Sequence, residues 1–250
     1  MGKVTERLSK VINYHCDKCD DVGYVKLPVS VNNPYGNMVT KCDCLIIKKT
    51  RKNLLNSPLI DVFEQLSFDN FKTPTETHTK VKERVLKFVE ETKAGIKDEN
   101  GKNRWLLLSG KPGKGKTHLC TAAYLELLLM GKDGEYVKFS EEIPALERDL
   151  SNFKEDIKER AQTKMDRLST VEVLYIDDLF KVSKGMDTIW SIIDARYTRK
   201  KSITIISSEY DEQQMYAMAN SDSLPSRIYE RCGKSEYFIK ISDAVKNWRL

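Results

Sequence analysis

The sequence predicts an α/β protein, a parallel sheet covered on both faces by helices, preceded by a small hairpin unit of different character. Three observations carry that expectation. From about residue 80 onward, short apolar runs alternate with amphipathic helical stretches. A glycine-rich run, SGKPGKGKTHL at 109–119, stands between one apolar run and a long helical pattern. Four cysteines fall in two close pairs, Cys16 with Cys19 and Cys42 with Cys44.

Composition narrows the function classes before any element is read. At 250 residues, with 40% hydrophobic and 32% charged side chains, the chain can bury one full-sized core plus a small appendage. No run approaches the roughly 18 apolar residues of a membrane span, and the first residues, MGKVTERLSK, lack the apolar centre of a secretion signal. A soluble, cytoplasmic protein with no membrane partner is expected. Gly2 follows Met1, but Glu6 stands where N-acylation requires Ser or Thr. The net charge of +5 permits contact with nucleic acid without requiring it. Six cysteines in a reducing compartment are examined for metal binding rather than for disulfides.

The first unit is expected over residues 1–55. Cys16 and Cys19 precede a strand-like stretch, NNPYGN makes a turn, and a second short strand ends at Cys42 and Cys44. A hairpin closed by that turn sets the pairs side by side, and four thiolates there form a tetrahedral Zn²⁺ cage. So short a segment has too little core to fold without such a staple. The C-x-C half is tighter than the usual C-x₂-C, and four unconnected reduced thiols are the alternative. His15 and Asp17 are substitute ligands. The basic run Lys48, Lys49, Arg51 and Lys52 reads as a solvated helix face or, less simply, as a phosphate contact. Residues 56–79 read as a linker.

The second unit is expected over 80–250. Helix KVKERVLKFVEETKAGI leads to strand RWLLLS, then to the glycine-rich loop and helix KTHLCTAAYLELLLM. Strand EYVKFS, a long polar helical region from Glu141 to Leu168 and the buried-type strand VEVLYID follow. Helix MDTIWSIIDARYTRK, strand SITIISS, helix SLPSRIYERC and strand EYFIKI complete the alternation that predicts a parallel sheet. Cys120 and Cys232 lie in apolar helical settings and read as core.

The loop carries chemistry. Gly110-x-x-x-x-Gly115-Lys116-Thr117 matches the phosphate-binding loop, with a strand before it and a helix after it. Its glycines let backbone N–H groups turn toward a β-phosphate, Lys116 reaches the β and γ oxygens, and the Thr117 hydroxyl ligates Mg²⁺. Gly110, Gly113, Lys114, Gly115, Lys116, Thr117 and His118 are therefore the expected contacts to ATP or GTP. VLYIDDLF supplies the acidic half: Asp177 holds Mg²⁺ through water and Asp178 orients the attacking water. For either aspartate the alternative is capping the helix that follows.

GKPGKGKTHL, VLYIDDL and LPSRIYERC together resemble the AAA+ ATPases of the DnaC/DnaI helicase-loader and IstB type, over about residues 65–250. The cysteine unit resembles the zinc-bearing N-terminal domain of DnaI-like and phage-encoded loaders. That resemblance implies ATP, Mg²⁺ and Zn²⁺ as cofactors, and self-association in which ATP sits between neighbours and an arginine from one subunit completes the next site. Arg227 in SRI matches the arginine-finger motif, with Arg231 one turn on as a second candidate. The family commonly carries Asn as its first sensor after strand ITIIS, whereas Ser207, Ser208 and Glu209 stand here. Ser208 is then the expected substitute, Glu209 is expected to point elsewhere, and hydrolysis is expected to be slow. The sequence ends at Leu250, so no helical lid domain is expected.

The implied function is an ATP-dependent loader that binds a replicative DNA helicase through the zinc unit and delivers it onto single-stranded DNA. The alternatives are an IstB-like transposition helper ATPase, which resembles the core alone, and a P-loop kinase for a small molecule, which has no use for the zinc unit. The Glu141–Leu168 region is where DNA contact is expected, with Arg148, Lys154, Lys158, Arg160, Lys164 and Arg167 set against eight acids, and Phe153 free to stack on a base.

Overall fold

A computed structural model describes residues 3–219 and 223–242. At its centre is a parallel five-stranded sheet formed by β3 (Leu106–Ser109), β4 (Gly134–Lys138), β5 (Val173–Leu179), β6 (Ile203–Ser208) and β7 (Phe238–Lys240), in the order β4-β5-β6-β3-β7. Leu106, Leu107 and Leu108 are all fully buried, as expected for a strand covered on both faces, each giving roughly 1.5–3 kcal/mol on burial. Both neighbours of β3 come from later in the chain, which leaves the crevice at its carboxyl end open for a ligand.

Helix α3 (Glu76–Ala94) starts where the Thr75 hydroxyl accepts from His78 N and stops at Gly95, whose φ of 73° only glycine adopts readily. α4 (Lys116–Leu129) is apolar nearly all round, because it runs between the sheet and the outer helices. The expected polar helical region resolves into two helices, α5 (Phe139–Leu150) and α6 (Glu155–Thr170), broken at residues 151–154. Phe139 and Ser140, expected to end a strand, open α5 instead. α7 (Met186–Thr198) and α9 (Ser223–Arg231) follow the expected pattern, and α8 (Glu212–Ala219) was not anticipated.

Ahead of the sheet, β1 (Tyr24–Lys26) and β2 (Val39–Lys41) pair antiparallel with Val25 opposite Thr40, the expected hairpin. Around it the expected boundaries shift. α1 (Val4–Ile12) and α2 (Cys44–Leu55) bury Val4, Leu8 and Leu54 in the main core, and Arg7 grips Glu126 of α4 through both guanidinium ends at 2.6 and 2.8 Å. The stretch read as a linker supplies Leu59, Phe63, Phe68 and Phe71 to the same core. Among the described residues, only the hairpin keeps a core of its own, made of Cys16, Cys42 and Cys44 with Tyr14, Cys19 and Val25 against them. Among the described residues no helix is long and apolar enough to cross a membrane. Residues 243–250, on which the expectation of a missing lid rests, lie outside the described residues.

Candidate nucleotide site

The loop after β3 and the ends of β5 and β6 surround a cleft of about 740 Å³, and Gly113, Lys114, Gly115, Lys116, Thr117, His118, Asp177 and Asp178 all line it. Lys116 opens α4, with its Nζ donating to Gly110 O at 2.6 Å and Lys111 O at 2.9 Å. Burial pushes its ammonium pKa down, while Glu209, then Asp178, pull it back up. Thr117 Oγ1 donates to Asp177 Oδ1 at 3.3 Å, which brings together a hydroxyl and a carboxylate, the hard oxygen donors that suit Mg²⁺.

Asp177 is held by more than the sequence revealed. Its Oδ1 also accepts from Tyr175 OH at 3.0 Å and from the Ser207 hydroxyl, and Oδ2 accepts from Tyr136 OH at 3.4 Å. Burial, with the charge of Asp177 added, raises both phenols well above their ordinary pKa, so they remain donors. The signal was available: period-2 alternation sets Tyr175 on the same strand face as Asp177. Tyr136 and Ser207 come from the flanking strands and no local pattern marks them.

Two expectations about the end of β6 are corrected. Ser208, expected to serve as the sensor, is buried with its hydroxyl donating to Leu179 O at 2.9 Å and accepting from Tyr210 N at 3.2 Å. The pleat that turns Ser207 toward Asp177 turns Ser208 the other way. Glu209, expected to point elsewhere, lines the cleft and lies 3.4 Å from Lys181 Nζ. Asp178 is in the left-handed region at φ 58°, as is Phe180 at 69°, and this turn returns Lys181 to within 2.8 Å of Asp178 Oδ2. Such non-glycine conformations cost about 1–2 kcal/mol each and cluster at functional sites.

The opposite wall comes from a stretch that carries no site signature in the sequence. Leu66, Asn70 and Phe71, from the supposed linker, line the cleft. The Phe71 ring meets His118 edge-on at 5.1 Å between centroids and His78 at 6.3 Å. His118 Nε2 lies 2.8 Å from Ser67 O, and since a carbonyl only accepts, the imidazole donates there. Burial lowers the pKa of both histidines. His118 thus braces the linker against α4.

Arg227 stands outside the cleft of its own chain. Its Nη1 lies 2.6 Å from Asp194 Oδ1, but off the N–H direction, so the pair is an electrostatic contact rather than an aligned hydrogen bond. The guanidinium stacks over Trp190 at 5.3 Å and Tyr197 at 5.6 Å. Arg231 is different: it is buried, donates to Tyr197 O, Asn103 O and Ser202 O, and covers Trp105 at 4.7 Å. It ties helix ends to strand starts and is committed within its own chain.

In the hairpin, the sulfurs of Cys16, Cys19, Cys42 and Cys44 all lie within 4.8 Å of one another, with 3.7 Å from Cys16 to Cys42 and 3.4 Å from Cys19 to Cys44. A tetrahedron with metal–sulfur bonds of about 2.3 Å has edges of about 3.8 Å, so the donor set fits Zn²⁺. Gly23 N donates to Cys19 Sγ at 3.2 Å. His15 is outside this group, half-exposed and paired with Asp21 at 2.7 Å, and Asp17 is fully exposed. Cys120 and Cys232 are buried in the main core.

This sheet, with its phosphate loop and acidic strand end, defines a nucleotide-binding protein of the AAA+ class. The chain is 30% identical to the phage-like element PBSX protein XkdC of Bacillus subtilis (strain 168), over 95% of its own length and 86% of that protein's. It is 25% identical to the replicative helicase loader DnaC of Escherichia coli (strain K12), over 66% of this chain and 64% of that one. Of the solved structures, DnaI matches at TM-score 0.50 and 25% identity, covering 79% of this chain and 93% of that one. AMPPCP-bound DnaA from Aquifex aeolicus shares the fold at TM-score 0.54 and 21% identity, with 74% of this chain spanning 52% of that one. No family model matches the chain. The chain belongs to the DnaC/DnaI helicase-loader family of AAA+ proteins, with XkdC among its relatives.

Proposed function

We propose that this protein is an ATP-dependent loader that holds a replicative DNA helicase through its zinc hairpin and places it on single-stranded DNA. The observation that carries the reading is the pairing, in one chain, of a complete phosphate-loop site with a four-cysteine hairpin that exposes large apolar side chains. Val31 is 97% exposed and Tyr35 87%, on a hairpin whose small core leaves them without cover of their own. A hydrophobic partner surface is the natural use for such side chains, and a relative named for helicase loading gives that partner its class. The hairpin also favours a loader over a transposition helper built from the core alone.

Nucleotide is gripped by the loop amides and Lys116, and Mg²⁺, held by Thr117 and through water by Asp177, would offset the phosphate charge. Tyr175, Tyr136 and Ser207 hold the Asp177 carboxylate in one orientation, and Asp178 orients the attacking water. Arg227, outside its own cleft, serves the site of a neighbouring subunit, so hydrolysis depends on self-association. The break between α5 and α6 presents Phe153 fully to solvent beside Lys154, in place to stack on a base of single-stranded DNA.

The test uses the full chain with Val31→Asp and Tyr35→Asp together. Capture of a hexameric replicative helicase should fall at least about tenfold, the scale of losing two apolar anchors, while ATP affinity stays the same. Unchanged helicase capture would remove the hairpin from the partner contact.

A further inference from the structure

Glu209 raises a question that the ATPase reading leaves open. The end of β6 lies between β3 and β5, so the residue after Ser208 is delivered to the place where the terminal phosphate of a nucleotide would lie. A carboxylate there repels that phosphate. The structure does not turn Glu209 away; it lines the cleft together with Lys116 and Asp178. Lys181 answers it. The left-handed turn at Asp178 and Phe180 carries Lys181 back over the cleft, where its ammonium spans Asp178 at 2.8 Å and Glu209 at 3.4 Å. The Lys181 side chain is 45% exposed, so it is able to swing, whereas Lys116 is buried in the loop.

We propose that Glu209 and Lys181 form a γ-phosphate gate: Glu209 disfavours a terminal phosphate, and Lys181 leaves the two carboxylates to neutralise that phosphate when a nucleoside triphosphate binds. The gate makes the distinction between tri- and diphosphate a property of this pair. It also couples recognition to chemistry, because the ammonium that moves to the phosphate frees the Asp178 carboxylate to take a water. A chain with Asn in place of Glu209 would bind the triphosphate without this opposition, and would have no need for Lys181.

The proposal rests on the cleft binding ATP, and the test separates the two. Calorimetry of the full chain with Mg-ATP and Mg-ADP is compared for the unaltered protein, Glu209→Gln, Lys181→Met, Lys181→Arg and the Glu209→Gln/Lys181→Met double variant. Removing one charge from a partly solvated site changes affinity about tenfold. Glu209→Gln should tighten ATP about tenfold and leave ADP within about twofold. Lys181→Met should weaken ATP about tenfold, Lys181→Arg should retain the ATP preference, and in the Glu209→Gln background Lys181→Met should cost less than about threefold, so that the double variant still binds ATP more tightly than the unaltered protein. Equal shifts for ATP and ADP in Glu209→Gln, or effects of the two residues that merely add, would overturn the gate while leaving the nucleotide site standing. No binding of either nucleotide by the unaltered chain would overturn both.

Discussion

Gly115→Ala tests whether the wall formed by Phe71 is physically seated on the phosphate loop. Gly115 has φ 84°, and a Cβ built on it meets Phe71 Cε2 at 2.7 Å and Cζ at 3.3 Å. Two costs add. Alanine in the left-handed region costs about 1–2 kcal/mol. Moving a buried ring out of the way costs about 1–3 kcal/mol more, as overpacking does. Gly101 isolates the first cost, because its φ is 69° and nothing lies within 4 Å of a Cβ there. Gly101→Ala should therefore lose about 1–2 kcal/mol and Gly115→Ala about 2–5 kcal/mol in urea titrations. At about 2–4 °C per kcal/mol for a chain of this size, the two should differ visibly in Tm. ATP affinity should fall at least about tenfold in Gly115→Ala and stay unchanged in Gly101→Ala. In a Phe71→Leu background the smaller side chain yields, and the additional cost of Gly115→Ala should shrink to the backbone cost alone. Equal losses at both glycines, or no relief from Phe71→Leu, would refute the seating of the aromatic wall on the loop.

Other outcomes follow from the same geometry. Purified protein should hold a single Zn²⁺ per chain, lost on Cys42→Ser and kept on Cys120→Ser, as read by metal analysis; a folded, metal-free hairpin would contradict the cage. His78 and His118 have pKa values lowered by burial, from an ordinary 6.5, so the unfolded chain takes up protons that the fold refuses. Their contribution to stability is complete above that value and declines as pH falls through it, and His118→Gln should flatten the decline of the urea midpoint below about pH 6.5. Tyr175→Phe removes a donor from Asp177 and should weaken the Mg²⁺ dependence of ATP binding by about three- to tenfold while ADP binding without Mg²⁺ stays the same. Mixing Arg227→Ala with Lys116→Ala chains should restore part of the ATP hydrolysis that each lacks; no rescue in confirmed mixed assemblies would place Arg227 outside the neighbour's site.

The parts of this molecule that were legible in the sequence are those encoded locally. A phosphate loop needs its glycines, lysine and threonine in one run, a parallel strand needs a continuous apolar stretch, and a zinc hairpin shows its paired cysteines. The parts that were not legible depend on what lies across space. Phe71 reads as an ordinary linker aromatic until α4 brings His118 beneath it. Ser207 and Ser208 are adjacent and alike, and only the register of β6 beside β5 decides which hydroxyl faces Asp177. In the sequence Glu209 shows only the repulsion it would cause, and Lys181, which offsets that repulsion, is brought to it by a turn that two non-glycine residues in left-handed conformations do not advertise. The short α1 has no clear signature in the sequence because its apolar side is complete only against the core.

Loading itself is measured by incubating a hexameric replicative helicase with circular single-stranded DNA and counting the helicase rings that co-purify with the DNA. With ATP and this protein, rings should accumulate on the circles, and Lys116→Ala protein should leave them in solution. Equal numbers of rings on the DNA with Lys116→Ala protein, or with no loader at all, would contradict the account.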